Sequence, residues 1–320
     1  MFIFAFTRSN VLLVFKGYLY IRSKGFQLSV FLFIWAGFFL ISQFLQLALI
    51  RQLYNVPAED MADFLSSALL KHPDFMMFFN ALFTLLAFGV PAFLFAYLAH
   101  PRPAGYLGLQ PIRNLKQWPW ILMLVVGMIP VLMTIGGYIN TLNLGETAHE
   151  LQQVRESQIN AYLKDVGGWE LLRNVLCLAV LPAFCEEALF RGVIQKFAFS
   201  YTKSISWTIV ISALSFALMH MSVYDFLPIF LAGLLLAWVY QQTACLWLNI
   251  VVHFLFNGSQ LVIAFYAARN ESFSQAGQHA VYLVIATLAC LLLLWLALVK
   301  LYHLRTPFTK RWGVEEPEKL

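Results

Sequence analysis

Residues 169–199 read WELLRNVLCLAVLPAFCEEALFRGVIQKFAF. The stretch is mostly apolar, yet it holds two adjacent carboxylates, Glu186 and Glu187, and a guanidinium, Arg191, near its middle. It is longer than the roughly 20 residues an upright membrane helix needs, and Pro182 interrupts it. Its neighbours decide how it is read. Upstream, 28–50, 75–98 and 119–141 are apolar runs, and downstream so are 204–220, 226–242, 244–266 and 279–303. The expected fold is an all-α polytopic membrane protein of about eight transmembrane helices around an intramembrane polar cavity. The unequal lengths favour tilted helices over a uniform bundle.

Composition agrees. Of 320 residues, 61% are hydrophobic and only 12% charged, with a mean hydropathy of +0.73. A soluble domain carries about 25% charged residues, so a cytosolic enzyme, a disordered scaffold and a nucleic-acid reader are excluded. The net charge of +5 then reflects basic loops rather than a polyanion partner. With the N-terminus inside, fourteen of the 21 basic residues fall in inner segments and six in outer ones, leaving Arg191 within a helix. Both termini are therefore expected in the cytoplasm, and Glu59, Asp60, Asp74, Glu146 and Glu156 lie in outer loops. Compact size without appended domains suggests a bacterial inner (plasma) membrane.

Four regions follow: 1–27, an interfacial amphipathic segment with no cleavable signal; 28–168, the first helices and outer loops; 169–266, the catalytic core; and 267–320, the last helix and a charged tail. Segments 51–74 and 146–165 have the mixed pattern of surface helices, and 101–118, with Pro101, Pro103 and Pro111, reads as an irregular loop. Cys177, Cys185, Cys245 and Cys290 sit in apolar runs without metal spacing and read as small hydrophobes.

An ionisable group near the bilayer centre costs roughly 2.5–3.5 kcal/mol on insertion scales, so each is a site hypothesis. Glu187 and Arg191 are four apart and share a helix face, which predicts an internal ion pair, whereas Glu186 lies about 100° away. His220 ends SFALMH; His253 and Asn257 share a face in VVHFLFNGSQ. At about 1.5 Å per residue, Glu186 lies about 20 Å from the inner end of its helix, His220 about 24 Å, and His253 and Asn257 about 14–20 Å. Three helices thus bring polar groups to a similar depth. A carboxylate, two imidazoles and an amide suit hydrolysis: Glu186 takes a proton from water, His220 orients that water, and His253 and Asn257 donate to an oxyanion. Glu186, His220 and His253 also have the chemistry to hold Zn²⁺, although the HExxH spacing is absent. A zinc site and a metal-free site both stand at this stage.

The motifs EEALFR (186–191), FALMH (216–220) and HFLFN (253–257), in this order within apolar helices, resemble those of the CPBP family: the type II CAAX prenyl endopeptidases and their bacterial Abi relatives. The resemblance covers about 169–266. It implies an eight-helix intramembrane protease whose cavity opens to the cytoplasm, with Glu186 as general base, Arg191 organising the glutamates, and His220, His253 and Asn257 completing the site. Eukaryotic members remove three C-terminal residues from prenylated proteins; the family is called metalloprotease, and a metal-free glutamate mechanism is also argued for it. The expected partners are the bilayer and a membrane-associated peptide or protein substrate. A non-catalytic immunity or scaffolding protein of the same fold is the competing expectation, and a transporter the next.

Overall fold

The computed structural model describes residues 15–61, 64, 72–112, 114–163, 166–267, 269 and 280–306. Among them the chain is helical, with no strand. We number the helices α1 (Lys24–Tyr54), α2 (Pro73–Ala99), α3 (Trp118–Ile139), α4 (Glu146–Leu163), α5 (168–202), α6 (Ile205–Met219), α7 (Phe226–Thr243), α8 (Leu246–Ala267) and α9 (Ala280–His303). All eight expected segments are largely helical, and six helices among the described residues are long and apolar enough to cross a membrane. The exceptions are α6, which is apolar but short, and α5, which is charged and broken. The polytopic all-α expectation is borne out.

The interfacial segment expected over 1–27 is described only in part. Residues 1–14 lie outside the described residues, and 16–22 form turns rather than an amphipathic helix. Gly17 has a left-handed φ of 72°, open to a residue without Cβ. The Gly17 and Leu19 amides donate to the Tyr97 and Leu98 carbonyls, pinning the segment to the end of α2. Helix α1 starts after Ser23, whose hydroxyl accepts from the Phe26 amide. Of the surface helix expected over 51–74, residues 62, 63 and 65–71 lie outside the described residues, and 51–54 are the last turn of α1. The one expected over 146–165 is α4.

Three widened π turns bend the long helices: Leu85–Gly89 in α2, and Leu176–Val180 and Phe190–Ile194 in α5. The first two lie just before Pro91 and Pro182. Proline in a regular helix clashes with the carbonyl four residues back, and a wider turn moves that carbonyl aside. The third has no proline and encloses Arg191.

Small residues set how closely the helices pack. A Cβ at Gly233 on α7 would lie 3.1 Å from the Ala213 backbone on α6, as its small-residue context led us to expect. One at Gly127 on α3 would lie 2.8 Å from the Leu294 amide on α9. One apolar cluster forms around α2 and α5, with Phe95, Ala183 and Phe190, and another around α3, α7 and α9, with Leu124, Leu236 and Ala297. Between them α5, α6, α7 and α8 enclose the polar residues. Helix α6 has 15 residues, about 22 Å, against a hydrocarbon layer of about 30 Å. His220 is its C-terminal cap.

Candidate active site

The site is built on Glu187. Its Oε1 accepts from Arg191 Nη1 at 2.9 Å and from His253 Nδ1 at 2.9 Å, and its Oε2 accepts from Asn249 Nδ2 at 3.2 Å. Both members of the Glu187–Arg191 pair are completely buried, as the i,i+4 spacing predicted. Arg191 also donates to the Gly233 carbonyl at 3.3 Å, and its guanidinium lies 4.5 Å from the centre of the Phe216 ring. Asn249 donates to the Leu236 carbonyl at 2.7 Å, and Gln195 to the Ala237 carbonyl at 2.9 Å. One carboxylate and one guanidinium thus tie α5 to α6, α7 and α8. A buried ion pair offsets its desolvation only with such added hydrogen bonds.

Glu186 is placed differently. It is 9% exposed, and its Oε2 has no hydrogen-bond partner among the described residues. The same oxygen lies 3.9 Å from His253 Nε2. Because the Glu187 carboxylate accepts, His253 Nδ1 carries a proton, and Nε2 faces Glu186. Of the two adjacent glutamates, Glu187 is saturated with hydrogen bonds, while Glu186 Oε2 accepts none among the described residues.

The remaining expected residues stand further out. The half-buried His220 uses Nδ1–H to donate to the Phe216 carbonyl at 2.8 Å. The Phe216 ring stands between the two imidazoles, with its centre 4.8 Å from that of His220 and 5.6 Å from that of His253. The His220 carbonyl accepts from Arg155 on α4 at 2.9 Å, and Met221 then turns left-handed, with φ 46°. Asn257 is half-buried, one turn beyond His253. The structure therefore joins Glu186, Glu187, Arg191 and His253 directly, and brings His220 to them through Phe216.

Asn249 escaped the sequence reading, although it lies one turn before His253 on the same face. Phe216 did too: its part in the motif is as a platform under Arg191 and between the histidines. Among the described residues no three His, Cys, Asp or Glu side chains are gathered closely enough to hold a metal ion. The proposed set of Glu186, His220 and His253 does not fit a three-ligand centre in this arrangement.

Residues 168–259 match the family model described as type II CAAX prenyl endopeptidase Rce1-like. The stretch is Rce1-like. The resemblance read from EEALFR, FALMH and HFLFN is borne out, and that family is one of proteases. No curated protein and no solved structure matches the chain. The Rce1-like stretch holds every site residue named so far except Arg155, which reaches in from α4. With its apolar helices, the chain is an integral membrane protein.

Proposed function

We propose that the protein is an intramembrane endopeptidase that hydrolyses a peptide bond of a membrane-associated peptide or protein, with Glu186 activating water. The carrying observation is that Glu186 Oε2 is buried, unpartnered among the described residues, and 3.9 Å from His253 Nε2. A water about 2.8 Å from each would donate one O–H to Glu186 and the other to His253, turning a lone pair outward.

Attack forms the C–O bond at the scissile carbonyl while Glu186 takes the water's proton, and the carbonyl electron pair moves onto oxygen. Asn257 Nδ2 donates to that oxyanion. His220 Nε2, left free by the Nδ1 bond to Phe216, accepts from water or a substrate N–H. Collapse of the intermediate breaks the C–N bond, and Glu186 returns its proton to the leaving amine. Glu187 and Arg191 hold His253 in its tautomer and orientation. No step runs through a metal.

We place both termini in the cytoplasm of a bacterial plasma membrane, on the strength of the basic-residue distribution. The test is membrane proteomics of cells carrying the wild type or Glu186→Gln at equal expression, with an EDTA arm. Wild type should generate new protein termini that the variant lacks and EDTA leaves intact. If no terminus depends on Glu186 while both proteins are folded and abundant, the fold serves a non-catalytic role.

A further inference from the structure

The chain turns sharply where it leaves the site. After His220, Met221 takes a left-handed φ of 46°, a strained conformation for a residue with a Cβ. The fold fastens that turn from two directions. Arg155 on α4 donates to the His220 carbonyl at 2.9 Å and stands 3.6 Å from Asp225, whose carboxylate accepts from Ser222 Oγ at 2.8 Å. Tyr224 Oη donates to the Leu142 carbonyl at 3.1 Å and accepts from the Leu144 amide at 3.4 Å. Residues 221–225 are thereby tied both to α4 and to the segment that leads into it.

Between this turn and α4 runs a groove of about 170 Å³. Ala148, Leu151 and Arg155 recur at three- and four-residue spacing, so one face of α4 forms one wall, and Met221 and Val223 form the other. The groove is open and mostly apolar: Leu151 is 57% exposed, Val154 53%, Met221 79% and Val223 56%. An apolar cavity of about 150 Å³ takes a benzene-sized group, so there is room here for a single large apolar side chain. The groove also adjoins the site, since His220 directly precedes Met221. The Phe216 ring centre is 4.8 Å from that of His220 and 5.6 Å from that of His253. The two imidazoles are therefore no more than about 10 Å apart, about three residues of extended chain.

We propose that the groove between α4 and residues 221–223 holds one apolar side chain of the substrate, about three or four residues from the scissile bond, and so selects where the chain is cut. The identity of this occupant rests on the proteolysis proposed above.

The probe is a randomised library of short peptides with an N-terminal acyl chain, presented to the full chain in detergent. In the Glu186→Gln background, Leu151 is replaced by the photo-crosslinking residue p-benzoylphenylalanine, and captured peptides are sequenced by mass spectrometry. They should be richer in large apolar residues, by about tenfold, than peptides captured by the same replacement at the exposed Phe33 on α1, since one apolar side chain in a pocket discriminates by about 10–200-fold. With Glu186 intact, cleaved peptides should carry a large apolar residue at one fixed position near the cut. Leu151→Lys should shift that position to Asp or Glu, and Val223→Lys on the opposite wall should do the same. Thermal melts in detergent confirm that each variant is folded. Crosslinks no richer than those at Phe33, or made to residues 270–279 of the protein itself, overturn the groove. Cleavage whose preference neither lysine variant alters overturns it too. Enriched capture without any Glu186-dependent cleavage supports the groove as a peptide site and overturns the proteolysis instead.

Discussion

Helices α1 and α5 are similar in length and opposite in use. Helix α1 runs unbroken over 31 residues and turns aromatic side chains outward on one side, with Phe33 82% and Phe44 69% exposed. Helix α5 is interrupted by two wide turns, carries five charged residues between Gly168 and Arg191, and keeps Glu187 and Arg191 at 0% exposure. It is not among the helices long and apolar enough to cross a membrane. In a bilayer, apolarity marks contact with lipid, while polar side chains gather where protein surrounds them. The segment that fits a spanning helix least well is the one that carries the site.

Substitutions can break or sharpen this contrast. Glu187→Ala should do most damage, because it strands Arg191 and frees Asn249 and His253. About 3–5 kcal/mol of stability should be lost, read as a lowered Tm in detergent; an unchanged Tm would mean that the pair is not structural. Asn257→Ala should leave Tm alone and slow peptide cleavage by about 10²–10³-fold, and normal cleavage would remove its oxyanion role.

Gly127→Ala should cost about 1–3 kcal/mol by overpacking α3 against the α9 backbone. Its lipid-side counterpart Gly37→Ala, with nothing within 4 Å of the new Cβ, should gain about 0.5–1 kcal/mol. Melts that moved both variants alike would erase the distinction between the two faces. Arg155→Ala tests whether α4 positions His220. It should lower kcat by up to about tenfold through misplacement with little change in Tm, since its partly exposed pair with Asp225 at 3.6 Å is worth about 0–1 kcal/mol. A fall in Tm that accounts for the lost activity would make Arg155 merely structural.

Much of this was legible beforehand. The eight helical segments followed from apolar length, and the Glu187–Arg191 pair from i,i+4 spacing. That Glu186 points away from that pair followed from the helical angle of about 100°. Asn249 was not singled out, because one amide in LWLNIVVH looks like any helix-interior polar residue until Glu187 is brought against it. The Phe216 platform was hidden for a similar reason: one phenylalanine among 30 carries no sign of what lies over its ring. The turn at 16–22 could not be read locally, since its partners at Tyr97 and Leu98 are some eighty residues away.

The sequence by itself determined the membrane setting, the places of the apolar helical segments and the identity of the polar residues, because these depend on local apolarity and on helical periodicity. Tertiary structure alone decided which glutamate is saturated with hydrogen bonds and which keeps an oxygen that accepts none among the described residues. Glu186 and Glu187 are chemically the same and adjacent in the chain. The helix angle between them becomes a difference in bonding only when α7 and α8 bring Gly233, Asn249 and His253 to one side and leave Glu186 Oε2 on the other.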